Sequence, residues 1–252
     1  MGKNSSASDG DNHQPQVMIP KIIHQTSKTA EIPEKWETFR SRIIEMHPGW
    51  EYRLWTDSDN IEFVAKEFPE HLQLFKDYPK GIMRADVIRY MLMYRLGGFY
   101  MDLDYEMLKP FDLLDRRVVL PHSRRLAEGD SCDRMGNAVF ASEPGNPFWK
   151  MLLDDLAANP PLQENVDVEA ATGPNFVTKI YFSLPAEERD RLGIYAPDRI
   201  LFHPETPRSK KDRENIVNNG KSYGIHHCHG TWREYGTLKK VVRKLKQRLW
   251  KP

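Results

Sequence analysis

The sequence predicts an α/β fold, a sheet covered on both faces by helices in one domain. Three observations carry this. Short apolar runs of strand length alternate with amphipathic helical patterns along the chain. At 252 residues the chain is long enough for one full core. No internal repeat is visible, and no apolar run approaches the roughly 18–20 residues of a membrane span.

Taken in order, residues 1–17 are rich in Ser, Asn, Asp, Gly and Gln and read as a disordered segment. The folded domain is placed at 18–236. It opens with Ile19-Pro20-Lys21-Ile22-Ile23-His24-Gln25 as a first strand. Pro33-Glu34 starts a helix with Trp36, Phe39, Ile43 and Ile44 on one face. Pro48-Gly49 breaks the chain, and 52–55 forms a second strand. Asp57, Ser58 or Asp59 caps a helix carrying Ile61, Val64 and Phe68. Residues 82–96 give the strongest helix, with Ile82, Val87, Met91, Leu92 and Leu96 apolar and Gly97 ending it. A strand at 99–103 follows. Later apolar segments lie at 118–120, 138–141 and 200–202, and helices are expected at 147–157, 173–183 and 237–249.

Composition narrows the function. The net charge of +1 gives no argument for nucleic acid as a partner. Cys132 and Cys228 are too few for a disulfide framework and read as free thiols in a reducing compartment. The N-terminus lacks a secretory apolar region, so the expected location is cytoplasmic, with peripheral attachment to the cytosolic face of a membrane as a further expectation. The tail 237–252 supports that attachment. It is basic and free of acids, with Leu238, Val241, Val242, Leu245 and Leu249 at helical spacing. It suits either a docked terminal helix or an interfacial helix on anionic lipid, anchored by Trp250.

The chemistry centres on Gly97-Gly98-Phe99-Tyr100-Met101-Asp102-Leu103-Asp104. On extended backbone, Asp102 and Asp104 share a face at the end of a strand. Two close carboxylates repel and call for a cation. Mg²⁺ or Mn²⁺ suits oxygen ligands and bridges to phosphates, so a phosphate-bearing substrate is expected beyond this strand end. Tyr100 is expected to face away from Asp102 into the core, with contact to a sugar or base as the other reading. Asp86 and Arg89 lie three apart on the preceding helix, just after Arg84. By position alone they read as a surface salt bridge; the functional reading puts Asp86 on sugar hydroxyls and Arg89 on phosphate.

Farther on, Ile225-His226-His227-Cys228-His229-Gly230-Thr231-Trp232 gathers three histidines. It reads as a polar loop, as a zinc cluster without the usual spaced pairs, or as the source of one nitrogen ligand completing the carboxylate site. Gly230 allows backbone to approach a phosphate. Thr172-Gly173-Pro174-Asn175 reads as a helix start or as a loop facing donor or acceptor. Asn137 is equally open between turn former and sugar contact.

Together these segments resemble glycosyltransferase family 32, whose members carry a D-x-D motif. The most specific similarity runs from Arg84-Ala85-Asp86-Val87-Ile88-Arg89-Tyr90 through Leu96-Gly97-Gly98 to Asp104. Supporting similarity lies at Ile19–Thr26, at 137–147, at Thr172-Gly173-Pro174, and at His226-His227 with Gly230-Thr231-Trp232. The resemblance spans roughly residues 19–233.

It implies a GT-A type, Rossmann-like mixed sheet flanked by helices, in a single domain with a basic C-terminal helix. It also implies a nucleotide-sugar donor and transfer with retention. By motif position, Asp102 and Asp104 hold metal and donor diphosphate, and Asp86 and Arg89 hold the donor sugar. His227 is the expected third metal ligand, with His229 the alternative. Gln25, Thr26, Tyr100, Gly173, Gly230 and Trp232 complete the donor site. The expected cofactor is Mn²⁺, or Mg²⁺. The donor is a UDP-sugar by preference or GDP-mannose, and the acceptor a hydroxyl of a glycan or lipid-linked precursor. A non-catalytic membrane-surface or carbohydrate-binding module is the alternative. A haloacid-dehalogenase-type phosphatase fits poorly, because Glu106 stands where Thr or Val is typical. A glycoside hydrolase needs carboxylates about 5–9.5 Å apart across a sugar.

Overall fold

The structure is a computed structural model and describes residues 19–124 and 134–230. The expected disordered segment 1–17, the basic helix 237–252, Cys132 and Trp232 lie outside the described residues.

In chain order the elements begin β1 (Ile22–Thr26), α1 (Glu34–Met46), β2 (Glu51–Trp55), α2 (Asp57–Glu67), α3 (Leu72–Asp77) and α4 (Gly81–Arg95). There follow β3 (Gly98–Met101), β4 (Tyr105–Met107), β5 (Val118–Val119), β6 (His122–Arg124), β7 (Arg134–Met135) and β8 (Val139–Ser142). The rest are α5 (Pro147–Ala158), α6 (Val168–Ala171), α7 (Pro174–Ser183), α8 (Ala186–Arg191), β9 (Ile194–Tyr195), α9 (Arg199–Phe202), α10 (Lys210–Asn219) and β10 (Gly224–His226).

Six strands form one sheet in the order β2-β1-β3-β8-β5-β9. Pairs β1–β2, β1–β3 and β5–β9 are parallel, and β8 runs antiparallel to β3 and β5. This is the mixed sheet that the resemblance implies. Side-chain alternation sorts it into two cores. Tyr100, Phe140 and Val118 pack with α2, α4, α5 and α7 on one face. Phe99, Met101, Val139 and Val119 pack with α1, β4 and α9 on the other.

The local reasons are legible. Gly97 and Gly98 take left-handed φ values of 64° and 96°, which releases the chain from α4 straight into β3. A Cβ at Gly98 would lie 2.7 Å from the Ile22 carbonyl oxygen, so glycine there also lets β3 pair with β1. Thr56, rather than residues 57–59, caps α2, in a reciprocal capping box with Asp59.

Other expectations need correction. Only Ile43 of the neighbouring pair on α1 is buried; Ile44 is 41% exposed, because α1 packs toward β4 through a narrow stripe. Ile61 on α2 is similarly exposed. The apolar segment 200–202, given no element from sequence, forms the short helix α9, where Asp198 caps the turn. The strand expected at 99–103 stops at Met101.

Candidate functional site

The strand stops because a turn follows it. The Tyr105 amide donates to the Asp102 carbonyl at 3.0 Å, and the chain reverses into β4. Asp102 is thus the first residue of a turn, directly after β3, and Asp104 lies within that turn rather than on the strand. Two bonds pin its start: the Asp102 amide donates to the Ala138 carbonyl at 2.8 Å, and Gln25 Nε2 to the Asp102 carbonyl at 3.3 Å.

Pairing of β4 with β10 then folds the histidine segment onto this turn. His226 stands opposite Tyr105, and the His227 amide donates to the Asp104 carbonyl at 3.0 Å. His226 Nε2 comes to 3.2 Å from Asp104 Oδ1 and 3.8 Å from Asp102 Oδ2. One ligand atom from each of Asp102, Asp104 and His226 lies within 4.8 Å of the others, the one such group among the described residues. Two carboxylate oxygens and an imidazole nitrogen match the donor set that manganese accepts.

The structure brings His226, and not the expected His227, beside the two carboxylates. Neighbouring residues on a strand face opposite ways. His227 turns to the other side, where Nε2 meets Glu106 Oε2 at 3.0 Å and the ring stacks on Phe39 at 5.1 Å. His229, the alternative, serves Asp104 through its backbone amide at 2.7 Å. Its ring Nδ1 accepts from Trp36 Nε1 at 3.2 Å.

A second group lies beside the first. Asp86 and Arg89 project from α4 and are 3% and 4% exposed, so the surface salt-bridge reading fails. Asp86 Oδ1 accepts from Asn137 Nδ2 at 2.9 Å and Oδ2 from Thr172 Oγ1 at 3.0 Å. The two segments left open in the sequence thus converge on one carboxylate. Arg89 donates to the Asn137 carbonyl, lies 3.4 Å from Asp86 Oδ1 and 3.2 Å from Asp102 Oδ1, and stacks over the Tyr100 ring at 4.7 Å. It joins the two groups.

Tyr100 faces the same side as Asp102, against expectation, because residues two apart on a strand share a face. Though fully buried, it donates its hydroxyl to Asp102 Oδ1 at 2.9 Å and pairs with Thr26 Oγ1 at 3.0 Å. Gln25 Oε1 accepts from Tyr52 at 2.8 Å. Gly173 is the N-cap of α7, directly after Thr172, and Gly230 has φ 49°.

These surroundings set the charges. Burial pushes the Asp86 carboxyl up to about 6, against the opposing pull of Arg89. Burial also raises Asp102, again opposed by Arg89. For Asp104, burial is outweighed by the bond and charge of His226 and by the His229 amide, which hold it below the usual carboxylate range.

Glu106 escaped the sequence reading as a structural group. It is 4% exposed, accepts from Arg213 Nε at 3.1 Å and from His227, and so ties α10 to β4. Its place two residues after Asp104 was the available signal.

Residues 33–125 match the family described as "Glycosyltransferase sugar-binding region containing DXD motif". The chain is 38% identical to inositol phosphoceramide mannosyltransferase 3 of Schizosaccharomyces pombe, over 71% of this chain and 51% of that protein. It is 35% identical to mannosyl phosphorylinositol ceramide synthase CSH1 of Saccharomyces cerevisiae, over 66% of this chain and 43% of that protein. The chain thus spans about half the length of the curated relatives it matches. Among solved structures, the PaToxG glycosyltransferase superposes with a TM-score of 0.52 at 19% identity, covering 83% of this chain and 90% of that one. The fold is of the GT-A type.

Proposed function

We propose, for a chain that carries the sugar-binding region of the DXD-containing glycosyltransferases, metal-dependent transfer of a hexose from a nucleotide-sugar donor to a glycolipid hydroxyl, with retention. The observation that carries this reading is the position of Arg89, within 3.4 Å of both Asp86 and Asp102. It puts a buried cation between the group suited to sugar hydroxyls and the group suited to a metal and phosphate.

Asp102, Asp104 and His226 would hold the divalent cation, with Mn²⁺ favoured by the mixed oxygen and nitrogen donors. The ion supplies positive charge that offsets the charge developing on the leaving diphosphate. Arg89 adds a fixed guanidinium on the sugar side of the same phosphates. Asp86 accepts from sugar hydroxyls while Thr172 and Asn137 hold its two oxygens in place. With Asp86 so engaged, attack by the acceptor on the face from which the diphosphate leaves is preferred to a covalent glycosyl intermediate.

The relatives' names favour mannose as the transferred sugar, hence GDP-mannose over the UDP-hexose preferred from sequence. The same names favour an inositol-phosphate-bearing ceramide as acceptor. No helix among the described residues is long and apolar enough to cross a membrane. Surface attachment through 237–252 belongs to this proposal.

The test supplies the protein with Mn²⁺, GDP-mannose or UDP-hexoses, and detergent-dispersed phosphoinositol ceramide, and follows nucleotide release and mannolipid formation. GDP and mannolipid are expected, and neither with the Asp102→Asn/Asp104→Asn variant. Release that persists in the variant would overturn the site.

A further inference from the structure

The two ring nitrogens of His226 have different neighbours. Nε2 points to Asp104 Oδ1 at 3.2 Å and Asp102 Oδ2 at 3.8 Å. Nδ1 lies 3.4 Å from the sulfur of Cys228. An imidazole that ligates a metal through one nitrogen carries its proton on the other, and that proton needs an acceptor to hold the ring still. A carboxylate or a carbonyl usually takes it. Here the partner is a thiol two residues along the same chain.

The backbone makes this contact. Cys228 has φ 49°, the one positive value at a non-glycine among the described residues. That left-handed residue follows β10, and its sulfur lies at the Nδ1 edge of the His226 ring. Thr206 closes the far side, with Oγ1 3.3 Å from the His226 carbonyl oxygen and 3.9 Å from the Cys228 sulfur. The His203 and Tyr105 rings pack against the imidazole at centroid distances of 6.0 and 6.4 Å. Cys228 itself is exposed, so its replacement opens no cavity in the core.

We propose that Cys228 is a positioning residue for His226: its sulfur takes the Nδ1 hydrogen, directs Nε2 at Asp102 and Asp104, and so sets the affinity of the site for manganese. This rests on the metal reading of the three ligands. It places no role in the reaction on the thiol itself.

The test measures Mn²⁺ binding to the full chain directly, from the loss of the free-ion electron paramagnetic resonance signal. It compares the unaltered protein with Cys228→Ala, Cys228→Ser and Asp102→Asn, and records thermal midpoints alongside. Cys228→Ala should bind Mn²⁺ at least about tenfold more weakly, the effect expected when the partner of a ligating histidine is removed. Cys228→Ser, which keeps an acceptor, should stay within about threefold of the unaltered protein. Equal affinity in Cys228→Ala would overturn the proposal, as would equal losses in the alanine and serine variants with unchanged midpoints. If Mn²⁺ binds the unaltered protein and is lost only in Asp102→Asn, this inference fails and the metal reading stands. If the unaltered protein binds none, both fail.

Discussion

Arg89 Nη1 lies 3.2 Å from Asp102 Oδ1, with the arginine side chain 5% exposed and the aspartate 26% exposed. An internal cation from α4 thus reaches the more exposed of its two carboxylate partners. The contact couples the helix to the turn after β3, and Asp86 is the other carboxylate on the same guanidinium.

Arg89→Lys keeps the charge but loses the planar fork, which no ammonium can reproduce between Asp86, Asp102 and the Asn137 carbonyl. We expect kcat/KM to fall by about 10²–10³-fold, the range for removing one fixed donor from a developing negative charge. Steady-state kinetics with a nucleotide sugar and Mn²⁺ check this.

Thr172→Val is nearly isosteric and removes one hydroxyl from Asp86 Oδ2. Leaving that buried oxygen short of a donor should cost about 1–3 kcal/mol in urea unfolding. The Thr172 bond holds the Asp86 carboxyl down against burial, which already pushes it up to about 6. Its loss should move the acid limb of the kcat/KM profile to higher pH. An unmoved limb would detach Asp86 from the titration.

The residues differ in how far the sequence alone reveals them. Asp102, Asp104, Asp86 and Arg89 stand out in the sequence because motif spacing survives in one dimension. Their burial does not, since an (i, i+3) pair reads the same on a covered or an open helix face. The choice between His226 and His227 turned on the register of β10 against β4, which depends on a pairing across more than a hundred residues. Asn137 and Thr172 are ambiguous in sequence, and the fold brings both to Asp86. The turn at Asp102 was hidden because Leu103 continues the alternation of the strand before it.

His24 gives a pH test of the scaffold. Its Nδ1 accepts from Trp55 Nε1 at 3.0 Å, and Nε2 donates to the Gly97 carbonyl at 2.9 Å. The neutral ring is satisfied, and a second proton would oppose the Trp55 N–H. Burial lowers this histidine from 6.5 to about 4. Between those values the unfolded chain binds the proton and the folded one does not, so stability rises with pH across the window. On acidification from pH 6.5 toward 4, His24 should remove about 1 kcal/mol per pH unit. Urea titrations of the unaltered protein and His24→Gln should differ by that slope; parallel curves would contradict it.

Gly98→Ala tests the link between α4 and β3. The residue holds φ 96°, and a Cβ would approach the Ile22 carbonyl oxygen to 2.7 Å. A loss of about 1–3 kcal/mol is expected from the backbone conformation alone, seen as a lower thermal midpoint. A midpoint unchanged by the substitution would mean that β1 and β3 tolerate more separation than their pairing shows.

On the proposed function, the metal group and the sugar group form one donor site joined by Arg89. Calorimetric titration of GDP-mannose into the protein, with and without Mn²⁺, tests it most directly. The account predicts binding that needs Mn²⁺ and is lost in both Asp102→Asn and Arg89→Lys. Equal affinity without the metal, or undiminished Mn²⁺-dependent binding in Arg89→Lys, would contradict it.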